Sequence, residues 1–236
     1  MTTETSHPVV TRAVTRERVP EPVPAHEPHA FYDVVKRGMD IAGGAVLLVL
    51  AAPILSAASA TVALTMRSNP LFFQQRVGLC GRPFTLIKVK TMWDGASGSI
   101  PRNLDETHGP TFKSRADPRV TRVGRFLRKT SIDELPQLLN VVMGHMSLVG
   151  PRPLPFEDYE HRDEGATSPH ALESMASRLR VKPGLTGLWQ VLGRSDIAFD
   201  RWMALDDEYV RRRSLLFDLW LLLRTVPAVV FMRGAH

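Results

Sequence analysis

Apolar and charged positions divide the chain unevenly. Residues 1 to 30 carry Pro8, Pro20, Pro22, Pro24 and Pro28 but few large apolar groups. Such a segment cannot bury enough surface to offset its ordering entropy, so the pattern predicts a disordered tail. It also lacks the early apolar run expected of a cleaved signal peptide. Ile41 to Met66 is then free of charge for 26 residues, between Lys36, Arg37 and Asp40 on one side and Arg67 on the other. As one helix this stretch is ~39 Å long, enough for a hydrocarbon core of ~30 Å. Pro53 near its middle removes a backbone hydrogen bond and favours a kink. Cations at both ends satisfy the positive-inside rule if both ends stay on the cytoplasmic side. Two topologies fit: a spanning helix, or one that enters a leaflet, bends at Pro53 and returns.

Past Arg67 the pattern changes to short elements. Leu71 to Val77 and Phe84 to Thr91 are rich in β-formers around the turn residues Gly78 to Pro83, which predicts a hairpin carrying Gln75, Arg76, Lys88 and Lys90. Met92 to Thr111, with Gly95, Gly98, Pro101, Gly109 and Pro110, reads as a long loop of the kind that covers sites. A basic helix from Arg122 to Lys129 precedes Thr130 to Asn140, where Leu135, Leu138, Leu139 and Val142 recur at helical spacing. Pro136 decides where that helix begins. With Ser131 as N-cap, Glu134 completes a capping box but Pro136 falls a full turn in. With Asp133 as N-cap, Pro136 sits among the free N–H positions, which is the favoured placement.

Met146 to Val149 reads as a short buried strand ending in Gly150-Pro151-Arg152-Pro153, and Glu157 to Ser177 as polar and partly mobile. A second Gly-rich element runs from Lys182 to Arg194, with Trp189 expected in the core. Ser214 to Phe231 is strongly apolar but interrupted by Asp218, Arg224 and Pro227, which favours an interfacial helix with Arg211, Arg212 and Arg213 facing lipid phosphates. The expected class is α+β, mainly helical: a membrane-embedded helix plus a globular domain with a small β-hairpin and interfacial amphipathic helices.

Composition narrows the chemistry. A net charge of +6 and a pI near 9.9 imply an anionic partner: nucleic acid, a phospholipid surface or a phosphorylated substrate. The single Cys80 rules out an intramolecular disulfide framework. Zinc-ligand spacing, a P-loop and a G-x-G-x-x-G fingerprint are all missing, so nucleotide binding would need another architecture. The adjacent carboxylates Asp133 and Glu134 follow Arg125, Arg128 and Lys129 at the positive end of a helix dipole, a setting that favours ionised acids. Acidic residues in a first turn also serve as plain helix caps, and Gly-Pro-Arg-Pro also serves as a plain turn. If Arg152 is functional, its flanking prolines present the guanidinium with little freedom left to lose.

Several ordered blocks resemble one family. Lys36-Arg37 with Asp40, the Pro-broken apolar helix, Phe72 to Gly78, Phe84 to Met92, Asp117 to Thr121, Leu127 to Asn140, Met146 to Leu154, Pro183 to Arg194 and Ser214 to Asp218 are similar to the bacterial sugar transferases. These are monotopic phosphoglycosyl transferases that act on polyprenyl phosphate. Gly109 to Lys113 further resembles the branch that initiates exopolysaccharide or O-antigen units. The resemblance implies three regions: the tail at 1–30, a re-entrant membrane helix at 31–67 bending at Pro53, and a cytosolic catalytic domain at 68–236. It implies transfer of a hexose-1-phosphate from a UDP-sugar to undecaprenyl phosphate, with release of UMP, at the cytoplasmic face of the bacterial inner membrane. In that scheme Asp133 is the nucleophile and Asp133 and Glu134 hold Mg²⁺. Arg128, Arg152 and Arg194 clamp phosphates with Lys90 in support, and Pro151, Pro153 and Gln190 belong to the substrate-binding blocks. Membrane phospholipid is a partner, nucleic acid is not, and a homo-oligomer is allowed.

Two departures stand out. The helix break reads Ala52-Pro53 where relatives often carry Ser before Pro, and the several transmembrane helices in front of larger members are replaced by the Pro-rich tail. Direct attack by the lipid phosphate, with the dyad serving only Mg²⁺, is the alternative route. A basic membrane-surface scaffold or nucleic-acid-binding protein, whose acidic pair is a helix cap, is the alternative class.

Overall fold

A computed structural model describes residues 30–96, 117–160, 169–192 and 197–230. The Pro-rich tail up to residue 29, the loop beyond residue 96 and Arg194 lie outside the described residues. The longest element, α1, runs Ala30–Met66 and continues as helix through Pro53. Its buried positions are Asp40, Gly44, Ala51, Ala58 and Val62, a single stripe along one face. Small residues in that stripe let the helix lie close on the domain. A Cβ on Gly44 would come within 3.3 Å of Val141 and Val142. Val46, Leu47, Val49, Leu50 and Ile54 point outward and are exposed.

Both halves of α1 therefore touch the same globular body. Near its start, Asp40 accepts from Ser147 Oγ and Leu148 N–H, both at 2.9 Å. Toward its end, Ala58 and Val62 pack with Val89 and Leu127.

The hairpin forms as the alternation predicts, β1 (Leu71–Val77) antiparallel to β2 (Pro83–Val89). The outer edge of β2 is covered by one side chain. Helix α2 (Arg122–Lys129) is followed by α3 (Gln137–Met143), and Asn140 on α3 accepts from Ile87 N–H at 3.1 Å and donates to Thr85 C=O at 2.7 Å. The amide thus substitutes for a third strand at a position with no solvent exposure. Arg37 of α1 holds the other end of α3, donating to the Val141 and Val142 carbonyls at 2.8 and 2.7 Å, groups that a helix C-terminus leaves unpaired.

The helix start differs from the expected one. Pro136 occupies the N-cap position and α3 begins at Gln137, while Asp133 lies inside a separate 3₁₀ turn, Ile132–Glu134. That turn opens on Ser131 in the left-handed region at φ 57°, a conformation a serine adopts only at some cost. Leu135 and Pro136 both keep helical dihedrals, but Pro136 has no N–H to bond back into the preceding turn, so the 3₁₀ turn and α3 do not join into one continuous helix. Asp133 is consequently buried without acting as a cap.

β3 (Ser147–Val149) pairs in parallel with β4 (Gly184–Thr186). The two glycine-bearing segments meet backbone to backbone: Gly150 N–H donates to Thr186 C=O at 2.9 Å, and Gly184 N–H to Pro151 C=O at 2.8 Å. A Cβ on Gly184 would sit 2.0 Å from Gly150 N. Glycine is needed here so that the strands can approach each other. The stretch from Glu157 to Ser177, expected to be polar and partly mobile, is described at its two ends, where it supplies helices α4 (Phe156–Glu160) and α5 (Pro169–Ser177), while residues 161–168 lie outside the described residues. These helices bury Tyr159, Ala171 and Met175 in the main core.

Helices α6 (Leu188–Leu192), α7 (Phe199–Arg212) and α8 (Leu215–Val230) complete the body. Trp189 and Trp202 stack in the core with ring centroids 4.3 Å apart. Asp218, an interruption in the apolar pattern, proves to be a buried hub that accepts from Tyr32 at 2.9 Å, Lys36 at 2.7 Å and Tyr209 at 2.9 Å, tying α8 to α1 and α7.

Replacing Asn140 by Leu leaves the Ile87 and Thr85 backbone groups without their partner. The expected loss is ~2–3 kcal/mol of folding stability, read as a lowered denaturation midpoint at unchanged m-value.

Candidate active site

Four elements deliver charge to one place. On β2 the period of two puts Lys88 on the inward face with Phe84 and Leu86. The 3₁₀ turn presents Asp133 and Glu134, and the loop after β3 presents Arg152. Glu134 Oε1 accepts from Lys88 Nζ at 3.0 Å and from Arg152 Nη2, and its Oε2 accepts from Arg152 Nη1 at 3.1 Å. This is a two-pronged arginine–carboxylate pair with a lysine alongside.

Arg128, on the last turn of α2, donates from Nε to Thr91 Oγ1 at 2.9 Å. Gly124 allows that placement, since a Cβ there would lie 2.0 Å from the Thr91 carbonyl oxygen.

The two carboxylates are in opposite electrostatic states. Burial alone would raise Glu134, but the charges and hydrogen bonds of Arg152 and Lys88 outweigh it and hold its carboxyl well below the usual range. Asp133 is pushed up to about 6, first by burial and then by the Glu134 charge, against the pull of Lys88, Arg128 and Arg152. Its Oδ1 is enclosed and has no hydrogen-bond partner among the described residues. Burial also lowers Lys88, Arg128 and Arg76, the last to about 10. Four cations thus surround two acids, one of which is already engaged.

The Arg152 loop is braced from both sides by arginines that the sequence reading did not place in the site. Arg76 Nη1 donates to the Pro153 carbonyl at 3.2 Å. Arg178 Nη2 donates to the Arg152 carbonyl and lies 2.9 Å from Asp206 Oδ2, with both side chains 1% exposed.

Of the residues expected to bind substrate, Arg128 and Arg152 converge on the dyad, and Pro151 and Pro153 line the clefts beside Arg152. Lys90 does not. It follows the last residue of β2 and is held by Asp94 at 2.5 Å and Ser68 at 3.1 Å, leaving Lys88 as the lysine at the dyad. Strand alternation with Phe84 and Leu86 was the signal for Lys88. Gln190 donates to Leu185 C=O at 3.1 Å, inside its own turn. Arg194 is outside the described residues.

No group of three or more His, Cys, Asp or Glu that could hold a metal occurs among the described residues. Mg²⁺ asks for less, one or two carboxylates completed by substrate phosphates and water. Both Glu134 oxygens already accept hydrogen bonds, so Asp133, through its unpartnered Oδ1, is the one of the two that would hold Mg²⁺ in company with a phosphorylated substrate.

The bacterial sugar transferase profile matches residues 31–232. The exopolysaccharide production protein ExoY of Rhizobium meliloti is 37% identical over 209 residues, 86% of this chain and 88% of that protein. The UDP-glucose:undecaprenyl-phosphate glucose-1-phosphate transferase of Caulobacter vibrioides is 39% identical over 217 residues, 89% of this chain and 74% of that protein. The undecaprenyl-phosphate galactose phosphotransferase of Salmonella typhimurium is 36% identical over 211 residues, 86% of this chain and 42% of that protein.

The buried, proton-holding Asp133 has a stability signature. Folded protein keeps the Asp133 proton up to about pH 6 where the unfolded chain gives it up near 3.8, so the penalty is absent below pH 3.8 and fully present above about 6. At most this is ~3 kcal/mol. Asp133→Asn is expected to stabilise the protein by ~1–3 kcal/mol at pH 7.5 in chelator-treated buffer, with the gain vanishing by pH 4, as followed by denaturant titration at both pH values.

Proposed function

This chain belongs to the bacterial sugar transferase family, and on that premise we propose that it moves a hexose-1-phosphate from a UDP-sugar to polyprenyl phosphate, releasing UMP. The observation that carries this reading is Asp133: a buried carboxylate with a free oxygen, set among Lys88, Arg128 and Arg152 beside a Glu134 whose charge is already neutralised. A surplus of buried cations around one available nucleophile suits a reaction that brings phosphate anions together. A helix cap would need no such surplus.

In the proposed route an Asp133 oxygen attacks the sugar-bearing phosphorus. The bond from that phosphorus to the bridging oxygen breaks, and UMP leaves with the bridging oxygen. The aspartyl phosphate so formed is then attacked by an oxygen of the lipid phosphate, which forms the new diphosphate and returns the free carboxylate. The sugar C1–O bond stays intact throughout, so anomeric configuration is retained. Arg152 and Lys88 hold Glu134 as an ion pair and, with Arg128, offset the charge of incoming phosphates. When bound through Asp133, with Glu134 beside it, Mg²⁺ supplies charge neutralisation for the diphosphate and its leaving group.

Docking at the bilayer follows from α1. Helix α1 is long and apolar enough to cross a membrane, yet both of its halves rest on the same domain. Insertion into one leaflet, with the catalytic domain on the cytoplasmic face, satisfies both. Helix α8 adds exposed Leu216, Leu219, Leu223 and Val226, and Arg224 lies over the Trp220 ring at 5.5 Å, an arrangement suited to the interface.

Sugar-labelled UDP-sugar incubated with enzyme and Mg²⁺ but no lipid discriminates the routes. Acid-stable label on the wild-type polypeptide, lost in Asp133→Asn together with a transfer rate down by at least ~10³-fold, is the expected result. Full transfer by Asp133→Asn would sink the covalent route, and unlabelled protein with intact transfer would favour direct attack by the lipid phosphate.

A further inference from the structure

One buried group in the site is unused by the reaction as described. Gln137 is the first residue of α3, one turn beyond Glu134, and is 3% exposed. Its Nε2 has no hydrogen-bond partner among the described residues. The same is true of Arg76 Nε, although the other Arg76 nitrogens reach Pro153 C=O and Gln74 Oε1. Both side chains line one small cleft, together with Leu86, Lys88, Arg152 and Pro153. Buried N–H groups are almost always paired in a folded protein, and two unpaired ones on side chains that line the same cleft leave room there for an acceptor from outside the chain.

The lining fixes the chemistry of that acceptor. Leu86 and Pro153 are apolar, three of the polar side chains are cations, and Glu134 is already bonded to two of them, Lys88 and Arg152, while Asp158 is the acid that acts most on Arg76. A cleft with this wall suits an anionic oxygen. A carboxamide has a particular use there, because it donates a hydrogen bond without adding a further positive charge to a site where burial already lowers Lys88 and Arg76.

We infer that Gln137 binds substrate directly, donating from Nε2 to a phosphoryl oxygen held between Arg76, Lys88 and Arg152. This rests on the transfer reaction proposed above. The oxygen belongs either to the diphosphate of the nucleotide sugar or to the phosphate monoester of the lipid, and kinetics separate the two.

The test uses full-length enzyme in membranes or detergent, with UMP release followed while one substrate is varied at saturating levels of the other. Gln137→Met keeps the shape and removes the donor. It is expected to lower kcat/KM for one substrate by ~10-fold or more, with Tm unchanged or raised, because a buried unpartnered group has been removed. A fall confined to the UDP-sugar series assigns the oxygen to the nucleotide sugar, and one confined to the lipid series assigns it to the lipid phosphate. Gln137→Glu is expected to hold Tm, its carboxylate being stabilised by the three cations, and to lower kcat/KM further by repelling the phosphoryl oxygen. Ser174→Ala removes another buried unpartnered polar atom from α5, away from the cleft, and is expected to leave both series unchanged.

Values of kcat/KM within twofold of wild type in both series for Gln137→Met would overturn the inference, as would a fall matched by a comparable loss of Tm. Failure of the wild-type enzyme to release UMP with any UDP-sugar would instead remove the transfer reading on which the inference stands.

Discussion

The constraint around which this protein is organised is the burial of unequal charge. Glu134 is locked to Arg152 and Lys88, and that pairing lets two adjacent carboxylates exist in one partly dry site. Without those cations, burial and mutual repulsion would leave both acids protonated. With them, one acid is fully ionised and inert, and the other is a lone carboxylate pushed up to about 6 with an unshared oxygen. Two neighbours in sequence thereby acquire different chemical characters from their surroundings, the usual way a protein assigns roles to like groups.

Holding that arrangement requires scaffolding that is mostly backbone. The Arg152 loop is fastened by Arg76 to the Pro153 carbonyl and by Arg178 to its own carbonyl, and beneath it two glycine segments are in direct contact. On the other side Asn140 covers the edge of β2, fixing the strand that carries Lys88. Helix α3 is therefore held at three points: its N-terminal side by the dyad turn, its middle by Asn140 and its C-terminus by Arg37. Each tie uses a polar group to satisfy an otherwise unpaired backbone group, so it supplies position as well as energy.

The same helix couples the site to the apolar side of the molecule. Arg37 and Asp40 sit at the start of α1 and grip α3 and β3, while the outward face of α1 carries Val46, Leu47, Val49, Leu50 and Ile54. Exposed aliphatic side chains in such a run are unfavourable in water and favourable in lipid. Asp218 extends the coupling to α8 through Tyr32 and Lys36. The supports of the dyad thus include the helix that carries the most apolar face of the molecule.

Much of this was legible in the residues. Period-two and helical spacing located the hairpin, the basic helix and the short buried strand, and the charge-free run from Ile41 to Met66 marked α1. The order of the motif blocks identified the family, and the adjacency of Asp133 and Glu134 is itself a fact of sequence. Local pattern did not reach the pairing of side chains across the fold. Lys88 and Lys90 are equivalent by alternation, but the strand ends between them, so one meets Glu134 and the other Asp94. Gly150 and Gly184 stand in sequence as ordinary turn residues, and in the fold they let two strands touch backbone to backbone. Asp218 looked like a flaw in an apolar helix and is a buried hub. Sequence thus determined the elements, because secondary structure follows from local sterics and hydrophobic period. Tertiary structure decided which charges were neutralised and which left free, because desolvation and hydrogen bonding depend on what long-range packing brings within ~3 Å.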